Sequence, residues 1–339
     1  MIRQLVPVVP IAIIDAPQAG TGKSLLASAV HAVATGLAGN MLSVPTSDEE
    51  MKKLITASMI EGATVMLLDN LDGKLFHPSL ASAITATIWK DRRLGFSETV
   101  TVPQLATWIV TGNNIMLGGD IPRRGYRIRL DAKSSKPWDD GRQFKHENLI
   151  GWVRENRGRI IAAGLTLCRA WYASSCPAYD VRRLGSFEEW SCTVGRILAH
   201  SDLRGFLANC DELYAEADED GGQWEAYFHA WHEKYGEQEV AVSQIATDVL
   251  ADAILRDALP DELGKFVERA GFLMHEYRIR EENSFKIRLG EALKARKGRR
   301  YGAAELLLHA SEDKHAKTVR WSVRPTTAGS AGSRGSVSA

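Results

Sequence analysis

Along the first 132 residues, short apolar runs alternate with segments in which apolar positions recur every three or four residues. The runs VPIAIIDA (9–16), MLSV (41–44), ATVMLLDN (63–70), LATWIVTG (105–112) and YRIRLDA (126–132) predict strands. Runs that are almost continuously apolar, rather than alternating, mark strands buried on both faces, hence a parallel sheet covered by helices. The stretches 24–33, 47–59 and 78–89 predict helices, the last opening on Pro78, a residue suited to a first helical turn.

From about 147 to 210 the pattern changes to one helix after another. Ser186, Glu188 and Glu189 make a helix start ahead of the apolar face Trp190, Val194, Ile197 and Leu198. After an acidic connector (211–222) comes a smaller unit with helices near 223–234, 242–256 and 284–297 and a hairpin of 305–309 with 319–323. Helices followed by a hairpin predict a winged-helix-like module. The Gly/Ser-rich end predicts a disordered tail. The division is therefore an α/β core over 1–146, a helical region over 147–222, a winged-helix-like domain over 223–325 and a tail over 326–339, with no internal repeat.

Composition changes this picture little. The 339 residues leave room for two or three domains, and 45% hydrophobic with 25% charged residues is ordinary for a globular chain. No apolar run reaches the roughly 18 residues of a membrane span. The four cysteines (168, 176, 192 and 210) sit far apart, without C-x-x-C spacing or histidine partners. They read as reduced thiols of a cytoplasmic protein, not as a metal site or a disulfide framework. The net charge of zero hides a basic C-terminal third, a mild hint of nucleic acid beside the plainer reading of a solvated helical face.

The strongest chemical signal is PQAGTGKS, comprising Pro17, Gln18, Ala19, Gly20, Thr21, Gly22, Lys23 and Ser24, directly after a strand and before a helix. The usual phosphate-loop pattern has a glycine where this chain has Pro17. Gly20 and Gly22 let backbone N–H groups turn toward phosphates, Lys23 would neutralise the β and γ oxygens, and Ser24 would hold Mg²⁺. Such a loop needs an acid on a neighbouring strand, which Asp69 supplies. The next position, where a water-positioning carboxylate is expected, holds Asn70; Asp72 is a candidate base or a turn residue before Gly73. The run TWIVTGNN offers Asn113 first, and Asn114 second, to contact a γ-phosphate or the attacking water. Asp120 and the pair Arg123 and Arg124 follow, and either arginine could serve a neighbouring subunit's site or be merely solvated.

Together these residues resemble the P-loop ATPases of the AAA+ and superfamily 3 helicase group, above all the helicase-like C-terminal half of primase–helicases carried by phages and other mobile elements. The motifs are GTGKS at 20–24, LLDNLDG with Asp69, TGNN with Asn113 and GGDIPRR with Arg123 and Arg124, while LGSFEEW…VGRILAHSDLRGFLAN and LGEALKARKGRRYG…VRWSV look like that family's continuation. The resemblance spans about residues 10–325, though only the first third carries specific motifs. It implies an AAA+-like core, ATP and Mg²⁺ as cofactors, a hexameric homo-oligomeric ring with ATP sites between subunits, and single-stranded or forked DNA as partner. Two departures stand out. Asn70 replaces the second acid, and the primase part of many relatives is absent upstream, which implies a separate primase subunit or a truncated gene. In superfamily 3 helicases a hairpin at the place of residues 89–104 projects into the pore. Here LGF and TVTV would form its strands around Ser97 and Glu98, with Lys90, Arg92 and Arg93 near its base, as a pore contact, a contact to a neighbour's nucleotide or a surface hairpin. Lys294, Arg296, Lys297, Arg299 and Arg300 would lie against a DNA backbone, or their domain would brace the ring.

The rival readings are an ATP-dependent loader, remodeller or nucleotide-gated sensor without unwinding, and a scaffold that holds ATP without useful hydrolysis. A P-loop kinase is a weaker third, since the TGNN and GGDIPRR segments would have no purpose in it.

Overall fold

A computed structural model describes residues 6–37, 39–93, 95–139, 144–217, 219–263, 275–302, 305–313 and 318–326. The chain forms two compact units, Met1–Ala217 and Asp218–Ala339. The tail expected over 326–339 lies, beyond Thr326, outside the described residues.

The first unit is α/β. Strand β1 (Ile11–Ala16) is buried along its whole length, as a central strand covered on both faces must be. Helix α1 (Lys23–Thr35), β2 (Met41–Ser43), α2 (Asp48–Ile60), β3 (Val65–Leu75) and α3 (Pro78–Thr85) follow. A hairpin of β4 (Ile88–Arg92) and β5 (Thr99–Pro103) leads into β6 (Thr107–Leu117) and, after a short turn of 3-10 helix, β7 (Gly125–Arg129). The five sheet strands are all parallel, in the order β2-β3-β6-β1-β7. All five expected strands are present. Ser47 caps α2 by accepting the Glu50 N–H at 3.3 Å, and three acids in the first turn complement the helix dipole.

One expected helix is shorter than the sequence implied. The 78–89 stretch leaves the helical conformation at Ala86, and residues from Ile88 on pair with β5 instead. The β-branched TVTV run needs an antiparallel partner, and Trp89 is buried when its segment is extended. The hairpin strands are thus IWKDR and TVTVP, not LGF and TVTV; Leu94 of the expected strand lies outside the described residues. Thr56 on α2 anchors the hairpin. Its hydroxyl accepts from Trp89 Nε1 at 3.0 Å and donates to Asp91 at 2.7 Å, while Lys52 pairs with the same carboxylate at 2.9 Å.

Among the described residues four further helices follow: α4 (Leu149–Glu155), α5 (Arg157–Ala173), α6 (Glu188–His200) and α7 (Cys210–Ala217). Leu184, Phe187, Trp190, Cys210 and Leu213 join the core built on Ile11, Ile13, Trp108 and Leu117. Ala12, Ile14, Ala27, Leu67 and Ile109 form a smaller cluster where α1 meets the sheet.

The second unit holds α8 (Glu219–Tyr235), β8 (Val240–Ala241), α9 (Val242–Ala251), α10 (Ala253–Asp257), α11 (His275–Arg296), β9 (Arg300–Tyr301), β10 (Leu306–Asp313) and β11 (Thr318–Pro325). Its sheet runs β8-β11-β10-β9, with every pairing antiparallel. Trp224, Tyr227, Phe228 and Trp231 form one stripe of α8, and Phe285, Leu289 and Leu293, four residues apart, form a stripe of α11, which packs on α9; both stripes enter one core. The single helix expected over 242–256 is two, because Asp252 is extended and its side chain accepts the N–H groups of Ile254 and Leu255.

Replacing Thr56 by valine keeps the shape but strands Trp89 Nε1 and one bond of Asp91. We expect a loss of about 1–3 kcal/mol in urea unfolding; an unchanged midpoint would rule out this hydroxyl as the hairpin's anchor.

Candidate functional site

The loop 17–22 leaves β1 at its carboxyl end and enters α1 at Lys23. Gly20 and Gly22 have φ of +75° and +93°, conformations that side chains rarely adopt, so the loop's shape depends on both. Pro17 starts the loop, and its carbonyl accepts from Asn114 Nδ2 at 3.2 Å. Lys23 is only 8% exposed. Its Nζ donates to the Gln18 carbonyl (3.1 Å), the Thr21 hydroxyl (3.1 Å) and Asn113 Oδ1 (2.8 Å), all neutral oxygens. Burial lowers its pKa below the usual lysine value, with Asp15 and Asp69 pulling the other way.

Strand β6 lies between β1 and β3, so the loop and Asp69 face each other across one strand. A single oxygen of Asp69, Oδ1, accepts two hydroxyls, from Ser24 on α1 and Thr111 on β6, each at 2.6 Å. Thr111 also accepts the Asn70 N–H at 3.2 Å. This threonine did not stand out in the sequence, where the only signal is a polar residue closing an apolar run.

The register between β3 and β6 slips twice. Leu68 faces Val110 and Leu71 faces Gly112, so β3 carries an extra residue at Asp69–Asn70. Asp72 faces Asn113 and Lys74 faces Met116, so β6 carries an extra residue there in turn. Asn70 and Asn114 have φ of +54° and +45°, the left-handed region that asparagine tolerates better than most side chains. Gly112 is required at the first bulge, because a Cβ there would stand 2.5 Å from the Leu71 carbonyl oxygen. Asn70 is accordingly the residue this bulge favours, and the exposed Asp72 lands opposite Asn113. The two asparagines of TGNN separate: Asn113 holds Lys23, whereas Asn114 donates to Pro17 and accepts from Arg129 at 3.0 Å. Arg129 also donates to Asp15, a fully buried carboxylate whose other oxygen accepts the Ile115 N–H at 3.2 Å. Neither Asp15 nor Arg129 carried a motif.

Arg123 and Arg124 part in the same way. Arg124 donates to the Ala81 carbonyl, to Thr85 Oγ1 at 2.8 Å and to Asp120 at 2.8 Å, so it ties the 3-10 turn to α3. Arg123 is exposed and, among the described residues, pairs only with Asp120, at 2.6 Å.

On the hairpin, Lys90 and Arg92 lie on β4 itself and are exposed, while Arg93 stacks over Phe96 at 4.3 Å and pairs with Glu98 at 3.0 Å. A cleft of about 880 Å³ between α2 and the hairpin is lined by Lys52, Lys53, Arg92, Arg93 and Phe96 among others. In the second unit, Arg296 turns inward, stacking over Trp224 at 4.1 Å and pairing with Glu262 at 2.9 Å. Arg300 pairs with Glu305 at 2.9 Å. Lys294, Lys297 and Arg299 are exposed and, among the described residues, carry no ion pair.

The donor set suits a phosphate chain and a hard cation. A buried ammonium whose hydrogen bonds all go to neutral oxygens touches no carboxylate directly, and the Ser24 hydroxyl with the Asp69 carboxylate offers two oxygens of the kind magnesium takes. No protein-family model matches the chain, and no curated protein matches its sequence. Among the described residues no helix is long and apolar enough to cross a membrane.

If Asn70 serves the bulge, Asn70→Gly should leave thermal stability near the native value. Asn70→Val should lower it by about 1–2 kcal/mol, the order expected of a β-branched residue forced left-handed. Equal stabilities for the two variants would refute the bulge account.

Proposed function

We propose that this chain is an ATPase of the AAA+ and superfamily 3 type. It binds ATP with Mg²⁺ at loop 17–24, assembles as a hexameric ring and couples hydrolysis to movement along single-stranded or forked DNA during replication of a phage, plasmid or integrated element. The observation that carries the nucleotide reading is Lys23, a buried ammonium with neutral partners, set beside the Ser24–Asp69 pair at the carboxyl ends of a parallel sheet. Crevices at that end of such sheets, where the strand order reverses direction, are where ligands bind. The bound metal would supply charge compensation on the phosphate oxygens. Lys23 neutralises the phosphates, Ser24 and Asp69 hold the cation, and Asn113 couples the lysine to β6. Asp72, opposite Asn113 beyond the bulge, takes the water-positioning role that Asn70 cannot. Of the two arginines, Arg123 is the one available to a neighbouring subunit, since Arg124 is engaged within its own chain.

The translocase part rests on the resemblance of sequence and on two groups of exposed cations. Lys90 and Arg92 on the hairpin and Lys294, Lys297 and Arg299 in the second unit are free to meet phosphates. The order helix, short strand, helices, long helix and hairpin supports a winged-helix-like reading of that unit. The ring and a cytoplasmic setting rest on the resemblance and composition alone.

A second reading, an ATP-dependent scaffold with little turnover, draws on Asn70. Steady-state ATP hydrolysis with and without single-stranded DNA separates the two. For the translocase, turnover rises with DNA and is lost in Lys23→Ala, while Asp72→Asn keeps ATP binding and loses at least 100-fold in rate (order of magnitude for a lost general base). Tight binding without turnover in the native chain would favour the scaffold.

For DNA, joint replacement of Lys294, Lys297 and Arg299 by alanine should weaken binding and flatten its salt dependence by about two to three phosphate contacts, at unchanged thermal stability. Arg296→Ala should instead lower stability. A triple variant that binds DNA with native affinity and salt slope would remove this surface from the reading.

A further inference from the structure

The segment after β7 returns across the glycine-rich loop. The Gln18 side-chain amide donates to the Ser134 carbonyl. Four residues on, Trp138 sits against Gly20 so closely that a Cβ on that glycine would stand 3.1 Å from Trp138 Cβ, 3.2 Å from its backbone nitrogen and 3.3 Å from ring atom Cε3. Two local turns hold the segment in place: the Lys136 N–H donates to Ser134 Oγ at 3.2 Å, and the Asp139 N–H to the Lys136 carbonyl at 3.0 Å.

Gly20 therefore has two reasons to lack a side chain, its left-handed backbone and the clearance the tryptophan needs. Yet the indole gains little from the contact, because Trp138 remains 64% exposed. A large aromatic side chain adds most to stability when buried, and this one is held open to solvent beside the loop by a clamp of hydrogen bonds. The arrangement fits a ligand that brings its own flat, apolar face to a site whose other groups bind anions.

We propose that Trp138 is the stacking platform for the base of the nucleotide whose phosphates loop 17–24 takes. The inference rests on that phosphate reading and adds to it the part of the site that distinguishes a nucleoside triphosphate from a bare polyphosphate. Lys23 and the loop N–H groups address the phosphates, and the indole addresses the base. Stacking is tolerant of base identity, so Trp138 contributes affinity for the nucleoside and only modest choice among bases.

The test compares binding of ATP and of inorganic tripolyphosphate, both with Mg²⁺, to the full chain and to Trp138→Ala, Trp138→Phe and Lys23→Ala, by calorimetry. Trp138→Ala should weaken ATP by about ten-fold or more while tripolyphosphate stays within about two-fold, and Trp138→Phe should recover most of the loss. Lys23→Ala should weaken both ligands. ATP should also quench native tryptophan fluorescence and do so much less in Trp138→Phe, which retains the other eight tryptophans. ATP affinity unchanged in Trp138→Ala, or ATP and tripolyphosphate weakened equally, overturns the platform and leaves the phosphate loop standing. A native chain that binds neither ligand overturns the phosphate reading itself, and the platform with it.

Discussion

One carboxylate oxygen holds the first unit's crevice together. Asp69 Oδ1 receives hydroxyls from Ser24 and Thr111, and so joins the first turn of α1 to β3 and β6. Hydrogen bonds to an ionised acceptor are roughly twice as strong as neutral ones, and here two converge on one atom. The sheet order makes the second bond necessary. With β6 between the loop-bearing and acid-bearing strands, Asp69 reaches the loop only past β6, and Thr111 fills that span. Both hydroxyls act as donors, which leaves the Ser24 lone pairs and the second Asp69 oxygen able to face a cation.

That geometry has a local cost, met by two asparagines and a glycine. Placing Asp69 toward Ser24 breaks the alternation of β3, and the extra residue falls in left-handed backbone at Asn70. A compensating slip on β6 falls at Asn114, so the strands return to register before Lys74 and Met116. Asn114 is then available to brace Pro17, and Arg129 ties it to the buried Asp15 at the end of β1. Asparagine at position 70 thus fits the backbone: a glutamate there would occupy a conformation that asparagine tolerates far better.

The sequence carried the sheet because its central strands β1, β3 and β6 are apolar runs that are mostly buried, a local pattern that needs no knowledge of neighbours. The loop was readable for a similar reason, since Gly20 and Gly22 dictate backbone shape by themselves. What stayed hidden depends on register or on distant partners. The bulges exist only relative to β6, and Thr111 matters only because Asp69 lies across from it. The 78–89 stretch is a helix to Thr85 by composition, but beyond it Trp89 takes its conformation from β5 and from Thr56, 33 residues earlier. Trp138 gave no signal because its significance is its closeness to Gly20.

Positive charge shows the same division most clearly. Arg123 and Arg124 are adjacent in sequence, as are Arg296 and Lys297, and each pair reads as one basic patch. In the folded chain one member of each pair turns inward to fixed partners, Arg124 to Ala81, Thr85 and Asp120, and Arg296 to Trp224 and Glu262. A guanidinium satisfied by carbonyls, hydroxyls and a carboxylate has little left to offer a phosphate, and freeing it would expose the groups it satisfies. The other member is exposed, Lys297 with no ion pair among the described residues and Arg123 in a solvent-exposed pair with Asp120, a kind of pair that contributes little to stability and exchanges readily for a ligand. Charge that the fold does not need is the charge a partner can use, and by that criterion the arginine to follow in the first unit is Arg123 and the cations to follow in the second are Lys294, Lys297 and Arg299.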